Sequence, residues 1–214
     1  MDIISRVGAV VRTVEGRDHN GKPARVVIAT RTYDTDLGDL WDAISNAERI
    51  PRWFLPVSGD LRLGGRYQLT GNAGGEITRC EPPRRLDVTW EYGGDVSWVN
   101  VTLEPKARDR TLLTLEHIAH VDLKPEFWDQ FGPGAVGVGW DLGLHGLALH
   151  LETGKPVDQK ETFAWLASDE GKRFIAALSD DWCRASIAFG TPASAAKEAA
   201  ARTTAFYTAG GDPA

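Results

Sequence analysis

The sequence predicts an α+β protein with an antiparallel β-sheet, one long apolar helix and a helical tail. Three observations support this fold class. From Val57 to Val121, alternating segments are separated at regular intervals by turn residues, without helical periodicity between them. This spacing predicts an antiparallel meander. An apolar run at helical spacing then extends to about Glu152, and residues 155–214 show further helical periodicity without a low-complexity linker.

The N-terminal segment is predicted to form a β-hairpin. Asn20-Gly21 favours a tight two-residue turn, because both residues tolerate a positive φ angle. A second alternating run follows the turn at 24–33. The first strand is predicted from alternation of four residues with more polar neighbours: Val7, Ala9, Val11 and Thr13.

A short helix is predicted between the hairpin and the meander. Thr35 or Asp36 can cap its N-terminus, and Pro51 limits its continuation beyond Arg49. Its apolar residues recur at helical spacing: Leu37, Leu40, Trp41 and Ile44.

Alternation along the meander places apolar residues on one face, which we expect to be concave. The opposite face carries Thr102, Glu104, Thr114 and Glu116, as expected where a sheet meets water. The apolar face comprises Tyr67, Leu69, Leu86, Val88, Trp90, Val99, Val101, Leu103, Leu113, Leu115, His117 and Ala119.

The long helix is predicted to begin after Pro125 or Pro133 and to end near Glu152, with Gly154 as the stop signal. One apolar stripe contains Val136, Trp140, Leu144, Leu147 and Leu151, and we expect it to face the sheet. A second stripe contains Val138, Leu142 and Leu149, and Gly139, Gly143 and Gly146 lie between the two stripes. A helix that is apolar on two sides needs a second partner, for which the tail is the candidate.

The tail is predicted to form three helices. The first contains Phe163, Trp165 and Leu166, the second runs from Phe174 to Ile187 with a break near Ser179, and the third is capped by Thr191-Pro192 and ends near Tyr207. We therefore predict a first domain at residues 1–154, which includes the hairpin, and a helical extension at residues 155–214 packed on the long helix.

Composition narrows the classes of function. A formal net charge of −6 and a pI near 5.4 argue against a nucleic-acid partner or an anionic membrane surface, since both favour a concentrated excess of Lys and Arg. No stretch has the pattern of a signal peptide or a membrane span, so a cytoplasmic location is predicted. Cys80 and Cys183 lack the spacing of a redox or zinc site, and no cofactor is predicted.

Three residues are candidates for proton-transfer chemistry. By alternation His117 points to the apolar face, where its pKa would matter, although a hydrogen-bonded core histidine is the alternative. Asp141 and His145 stand four residues apart on the long helix, close enough for a carboxylate to orient an imidazole. An ordinary surface or tail-docking pair is the alternative there. The histidine spacing predicts no metal site.

Three segments resemble a known family: DLWDAISNAERIPRWFLPVSGDLRLGGRYQL at 39–69, GGEITRCEPPRRLDVTWEYGG at 74–94 and WVNVTLEP at 98–105. Together they are similar to the Hsp90-ATPase-activator-like branch of the START/Bet v1 (SRPBCC) superfamily, over roughly residues 24–153. The resemblance implies a helix-grip fold, in which a curved antiparallel sheet wraps a long C-terminal helix around a cavity. It implies little about function, because one fold supports many chemistries.

The sequence therefore leaves three hypotheses about function. The leading one is binding of a hydrophobic, aromatic or lipid-like small molecule. An enzyme similar to polyketide cyclases or aromatases, working in the same cavity, is the alternative, and a co-chaperone of Hsp90 follows only from the family resemblance. The second apolar stripe of the long helix could be covered by the tail or, alternatively, by a second copy of the chain in a homodimer. The expected ligand-binding residues are Trp53, Phe54, Tyr67, Leu69, Trp90, Val99, Val101, Leu115, His117, Trp140, Leu144 and Leu147.

Overall fold

A computed structural model of the chain describes residues 3–209, with side chains described from residue 6 onward. Eight strands form one sheet in the order β1-β2-β8-β7-β6-β5-β4-β3. The elements, in chain order, are α1 (Ile3–Gly8), β1 (Val10–His19), β2 (Lys22–Tyr33), α2 (Leu37–Ser45), a 3₁₀ helix (Ile50–Arg52), β3 (Val57–Gly59), β4 (Arg66–Leu69), β5 (Gly74–Glu81), β6 (Arg85–Tyr92), β7 (Asp95–Ala107), β8 (Arg110–His120), α3 (Pro125–Phe131), α4 (Gly134–Thr153), α5 (Gln159–Ala167), α6 (Asp169–Ala188) and α7 (Ala193–Thr208). The predicted α+β helix-grip fold, with its curved antiparallel sheet and helical tail, is confirmed.

The chain divides into two compact units. Of the described residues, the hairpin–tail unit comprises 3–29, His120–Leu142 and 158–209, and the meander unit comprises Thr30–Ala119 and Gly143–Val157. Each unit therefore contributes residues to the long helix α4. The division predicted between residues 154 and 155 stays a prediction, and its outer limits, residues 1 and 214, lie outside the described residues.

The strand register of the meander unit confirms the predicted apolar face. Val99 lies opposite Val88 on β6 and His117 on β8, and Val101 lies opposite Leu115. Directly opposed residues of an antiparallel pair point to the same side of the sheet. The predicted rows are therefore aligned across β6, β7 and β8.

The N-terminal hairpin forms, but its first strand was predicted in the wrong phase. Asn20 and Gly21 make the turn with φ angles of 54° and 78°. Strand β1 begins only at Val10, whereas Val7 belongs to helix α1. Val11 is 66% exposed, while Val10 is buried. Because these two valines are adjacent, alternation alone allows either of them to face the core. The polar residues on either side do not show which one is buried.

The helix boundaries follow the capping and proline signals. The carboxylate of Asp36 accepts hydrogen bonds from the backbone N–H groups of Gly38 and Asp39 at 2.8 and 2.9 Å, which caps α2. Both candidate start sites of the long helix are used, since α3 begins at Pro125 and α4 begins directly after Pro133. Gly154 follows α4 with a φ angle of 67°.

Three tail helices form within the hairpin–tail unit, but α6 shows no break at Ser179. The Ser179 hydroxyl donates to the carbonyl of Ile175 at 2.9 Å, so this buried serine is satisfied inside a continuous helix. The predicted break was therefore wrong. The tail approaches the first half of α4 closely, because a Cβ at Gly137 would overlap the ring of Trp182, and the Tyr207 hydroxyl donates to the carbonyl of Ala135 at 2.6 Å.

Within the described part of the chain, none of the helices combines the length and apolar character that crossing a bilayer requires. The cytoplasmic location stays a prediction.

Candidate functional site

Apolar side chains of the meander unit gather into a group that we call the concave cluster. Its buried centre consists of Tyr67, Leu69 and Ile77. Around this centre pack side chains that are only partly buried: Phe54, Leu55, Val57, Leu61, Cys80, Leu86, Val88 and Trp90. The structure therefore brings together four of the predicted ligand-binding residues, namely Phe54, Tyr67, Leu69 and Trp90.

The segment with Trp53 and Phe54 is held in place by neighbouring helices of the same unit. The indole N–H of Trp53 donates to the carbonyl of Ala43 on α2 at 2.9 Å, and the Trp53 and Phe54 rings stack with centroids 5.3 Å apart. A Cβ at Gly146 on α4 would lie 2.6 Å from the Trp53 carbonyl oxygen, and one at Gly143 would lie 3.3 Å from the Phe54 ring. These two glycines, singled out in the sequence, let the segment approach α4 closely.

His117 is a hydrogen-bonded neutral imidazole beside Trp90. Its Nε2 lies 2.9 Å from the hydroxyl oxygen of Ser97, and the Trp90 ring meets the imidazole edge-on with centroids 6.1 Å apart. The Ser97 hydroxyl donates to the Trp90 carbonyl at 3.2 Å, so the tautomer with a proton on Nε2 satisfies both contacts. Burial lowers the pKa of His117 from 6.5 to about 4, which keeps the imidazole neutral near pH 7.

Tyr67 indicates the same low polarity at the centre of the concave cluster. Its hydroxyl donates to the carbonyl of Thr89 at 2.8 Å. Burial raises the pKa of Tyr67 well above its ordinary value, because the phenolate would be poorly solvated there. The tyrosine therefore contributes an apolar ring, while its hydroxyl is bound to the backbone.

The carboxylate of Asp141 belongs to a buried network in the hairpin–tail unit. It accepts from Nε of Arg12 at 3.0 and 3.2 Å and from the indole N–H of Trp182 at 2.8 Å. Arg12 also pairs with Asp181 at 2.8 Å, and the Arg12 and Asp141 side chains are both buried. These contacts favour a structural role for Asp141, joining β1, α4 and α6. His145, its predicted partner in catalysis, belongs to the meander unit and is partly buried.

The remaining predicted residues fall into two groups. Val99, Leu115, Leu144 and Leu147 are buried in the meander unit, while Val101 is partly buried. Trp140 is partly buried and belongs to the hairpin–tail unit. In the part of the chain with described side chains, no three His, Cys, Asp or Glu residues are grouped to hold a metal ion.

One residue missed in the sequence is Arg31, on β2 in the meander unit. Its side chain is buried, with the whole residue only 7% exposed. Nη1 lies 3.4 Å from the carbonyl of Leu144 on α4, which also accepts from the Tyr33 hydroxyl at 3.0 Å. The sequence does contain a sign of this burial. In the strand predicted at 24–33, Arg31 stands two residues before Tyr33, so both side chains point to the same side of the sheet. Because Tyr33 is buried on that side, a charged residue two positions earlier indicates a buried cation.

The comparisons with known proteins agree with this fold. Residues 34–152, more than half of the chain, match the model of the activator of Hsp90 ATPase homolog 1-like protein family. The chain therefore belongs to this family. A comparison with the curated proteins found no match.

Solved structures extend the similarity beyond the family model. CalU16 from Micromonospora echinospora is 33% identical in its crystal structure, with 84% of this chain and 99% of CalU16 covered and a TM-score of 0.67. Its solution structure gives 32% identity and a TM-score of 0.70, with 85% and 97% covered. DynU16, described as a protein of the dynemicin biosynthetic locus, is 25% identical over 61% of this chain and 48% of its own, with a TM-score of 0.52.

Proposed function

We propose that this chain binds a hydrophobic small molecule, aromatic or lipid-like, against the concave cluster. The observation that supports this proposal is a difference in burial along one face of the sheet. Leu103 and Leu113 are almost completely buried, whereas Leu86, Val88 and Val101 on the same face remain partly open to water. A ligand that covered these side chains would remove their remaining apolar area from water, at about 25 cal/mol per Å².

His117 would supply a polar contact to such a ligand. Sites for apolar ligands are lined mainly by hydrophobic side chains, with a few polar groups that fix the orientation of the ligand. His117 shares the apolar face with Val99 and lies beside Trp90, a member of the concave cluster. With its proton on Nε2 facing Ser97, a neutral imidazole there can accept a hydrogen bond at Nδ1 without placing a charge in the apolar group.

A cyclase-like enzyme is the less favoured reading of the same residues. A general base works best when its pKa lies near the operating pH, and a pKa of about 4 makes His117 a weak base near neutrality. DynU16 belongs to a biosynthetic locus, which supports a ligand from small-molecule biosynthesis for this chain but not a reaction. The Hsp90 co-chaperone and homodimer hypotheses stay predictions.

The proposal can be tested with N-phenyl-1-naphthylamine, an uncharged apolar probe whose fluorescence rises in apolar surroundings. Val101→Trp would fill space on the apolar face of β7, and Thr102→Trp would place the same side chain on the opposite face of the same strand. We expect the probe to bind the wild type and the Thr102→Trp variant alike, and to bind Val101→Trp at least tenfold more weakly, which is about 1.4 kcal/mol.

Equal binding by all three folded proteins would place the probe elsewhere and contradict the proposal. Native mass spectrometry of the purified protein gives a second readout, because a retained small molecule is expected in the wild type and not in Val101→Trp. Chemical conversion of that molecule during incubation would favour the enzyme over the binding protein.

A further inference from the structure

We infer that the ligand carries an anionic group, such as a carboxylate, which pairs with Arg31. This inference rests on the proposed function and adds the chemical class of the ligand. Arg31 is a charge held inside the meander unit next to α4, the helix against which the concave cluster's Phe54 also lies close. An apolar molecule with one acidic group would match an apolar cluster together with a single buried cation.

Arg31 brings a positive charge into the interior of the meander unit. A guanidinium group stays protonated in proteins, so burial cannot be relieved by loss of a proton. A buried charge without an opposite charge is strongly destabilising, and buried charges are normally paired. Arg31 is only 7% exposed, yet among the described residues it forms no ion pair.

The hydrogen-bonding capacity of Arg31 is also largely unused. Among the described residues its one hydrogen bond is the long contact of 3.4 Å from Nη1 to the carbonyl of Leu144, and Nε is buried there without a partner. The Tyr33 ring lies 5.2 Å from the guanidinium carbon, which stabilises the cation but accepts no strong hydrogen bond. The planar guanidinium group of Arg31 therefore has N–H donors for which the described chain supplies no acceptor.

Arg12, whose side chain is also buried, differs from Arg31 in being paired with opposite charges, although its own Nη2 is buried without a hydrogen-bond partner among the described residues. It contacts two carboxylates, those of Asp141 and Asp181, at 3.0 and 2.8 Å. Among the described residues, no carboxylate contacts Arg31 in this way. Since the fork of N–H groups matches a carboxylate, sulfonate or phosphate with two parallel hydrogen bonds, an anionic ligand group would supply what the protein lacks.

Two probes with the same aromatic skeleton separate the charge from the apolar contact. 8-Anilinonaphthalene-1-sulfonate carries a sulfonate, and N-phenyl-1-naphthylamine lacks it. Both are titrated into wild type, Arg31→Met and Arg25→Met, which removes a partly buried cation from the same strand as a control. The anionic probe is expected to bind Arg31→Met about 10- to 100-fold more weakly than wild type, since a hydrogen bond to a charged group is lost.

The neutral probe should bind wild type and Arg31→Met within about twofold, and Arg25→Met should leave both affinities unchanged. Arg31→Met should also be at least as resistant to heat as the free wild type, because an unpaired buried charge has been removed. If this variant does not fold, Arg31→Lys tests the same point, since it keeps the charge and loses the planar fork, and a loss of anionic-probe affinity of at least threefold is expected.

Equal affinity of the anionic probe for wild type and the folded Arg31 variants would overturn this inference and leave the proposed function intact. A similar loss with Arg25→Met would overturn it too, because a general effect of surface charge would explain the result. Failure of the neutral probe to bind the wild type would overturn the proposed function and this inference together.

Discussion

The imidazole of His117 should make the folded protein sensitive to acid. Its pKa is lowered to about 4 in the folded chain by burial, against an ordinary value of 6.5. The unfolded chain therefore takes up a proton at a higher pH than the folded chain does. The stability that the neutral imidazole contributes is fully present above about pH 6.5 and is lost as the pH falls through about 4.

The size of this effect follows from the two pKa values. Each pKa unit corresponds to about 1.36 kcal/mol, so the difference between 6.5 and about 4 gives about 3 kcal/mol of unfolding free energy. This value is an upper bound, because the side chain of His117 is only partly buried and keeps some contact with water.

Urea denaturation between about pH 7.5 and about pH 4 measures this loss. His117→Gln removes the titrating group and keeps a donor for Ser97, so the difference between the wild-type and variant curves isolates His117 from other groups. Burial also lowers the pKa of His19, but that contribution is present in both proteins. A wild-type curve that stays parallel to the variant curve over the whole range would refute the reasoning.

Two further predictions concern packing and the buried ion pair. Gly146→Ala should destabilise the fold by about 1–3 kcal/mol in urea denaturation, because its Cβ would lie 2.6 Å from the Trp53 carbonyl oxygen. Gly143→Ala, whose Cβ would lie 3.3 Å from a ring, should change stability by under about 1 kcal/mol. Equal losses would contradict the close approach. Asp141→Asn should cost about 1–3 kcal/mol, because Arg12 keeps Asp181 but loses the more deeply buried of its two carboxylates, and unchanged thermal stability would contradict a structural role for Asp141.

The order of elements could be predicted because its signals are local. Asn20-Gly21 makes the hairpin turn, Asp36 caps α2, and Gly154 follows the end of α4. The phase of β1 was not decided by its neighbours, since Val10 and Val11 are both apolar and only tertiary burial distinguishes them. Local chemistry therefore predicted where elements begin and end better than which face they bury.

The contacts of the candidate site could not be predicted in this way, because they join residues far apart in the sequence. The carbonyl that Arg31 contacts lies 113 residues further along the chain, and the carboxylate that Arg12 contacts lies 129 residues further. Asp141 was considered for catalysis from its spacing to a histidine four residues away. Its buried partners come from β1 and α6, which helical spacing cannot reveal.

The central claim is that the partly buried apolar side chains of the concave cluster receive the ligand. Methyl NMR spectra of the protein during a titration with N-phenyl-1-naphthylamine test this claim residue by residue. We expect saturable shifts at Leu86 and Val88, with none at Val11 and Leu63, which are 66% and 62% exposed and lie outside the cluster. Shifts at the two exposed residues, with the methyl groups of Leu86 and Val88 unmoved, would contradict the claim.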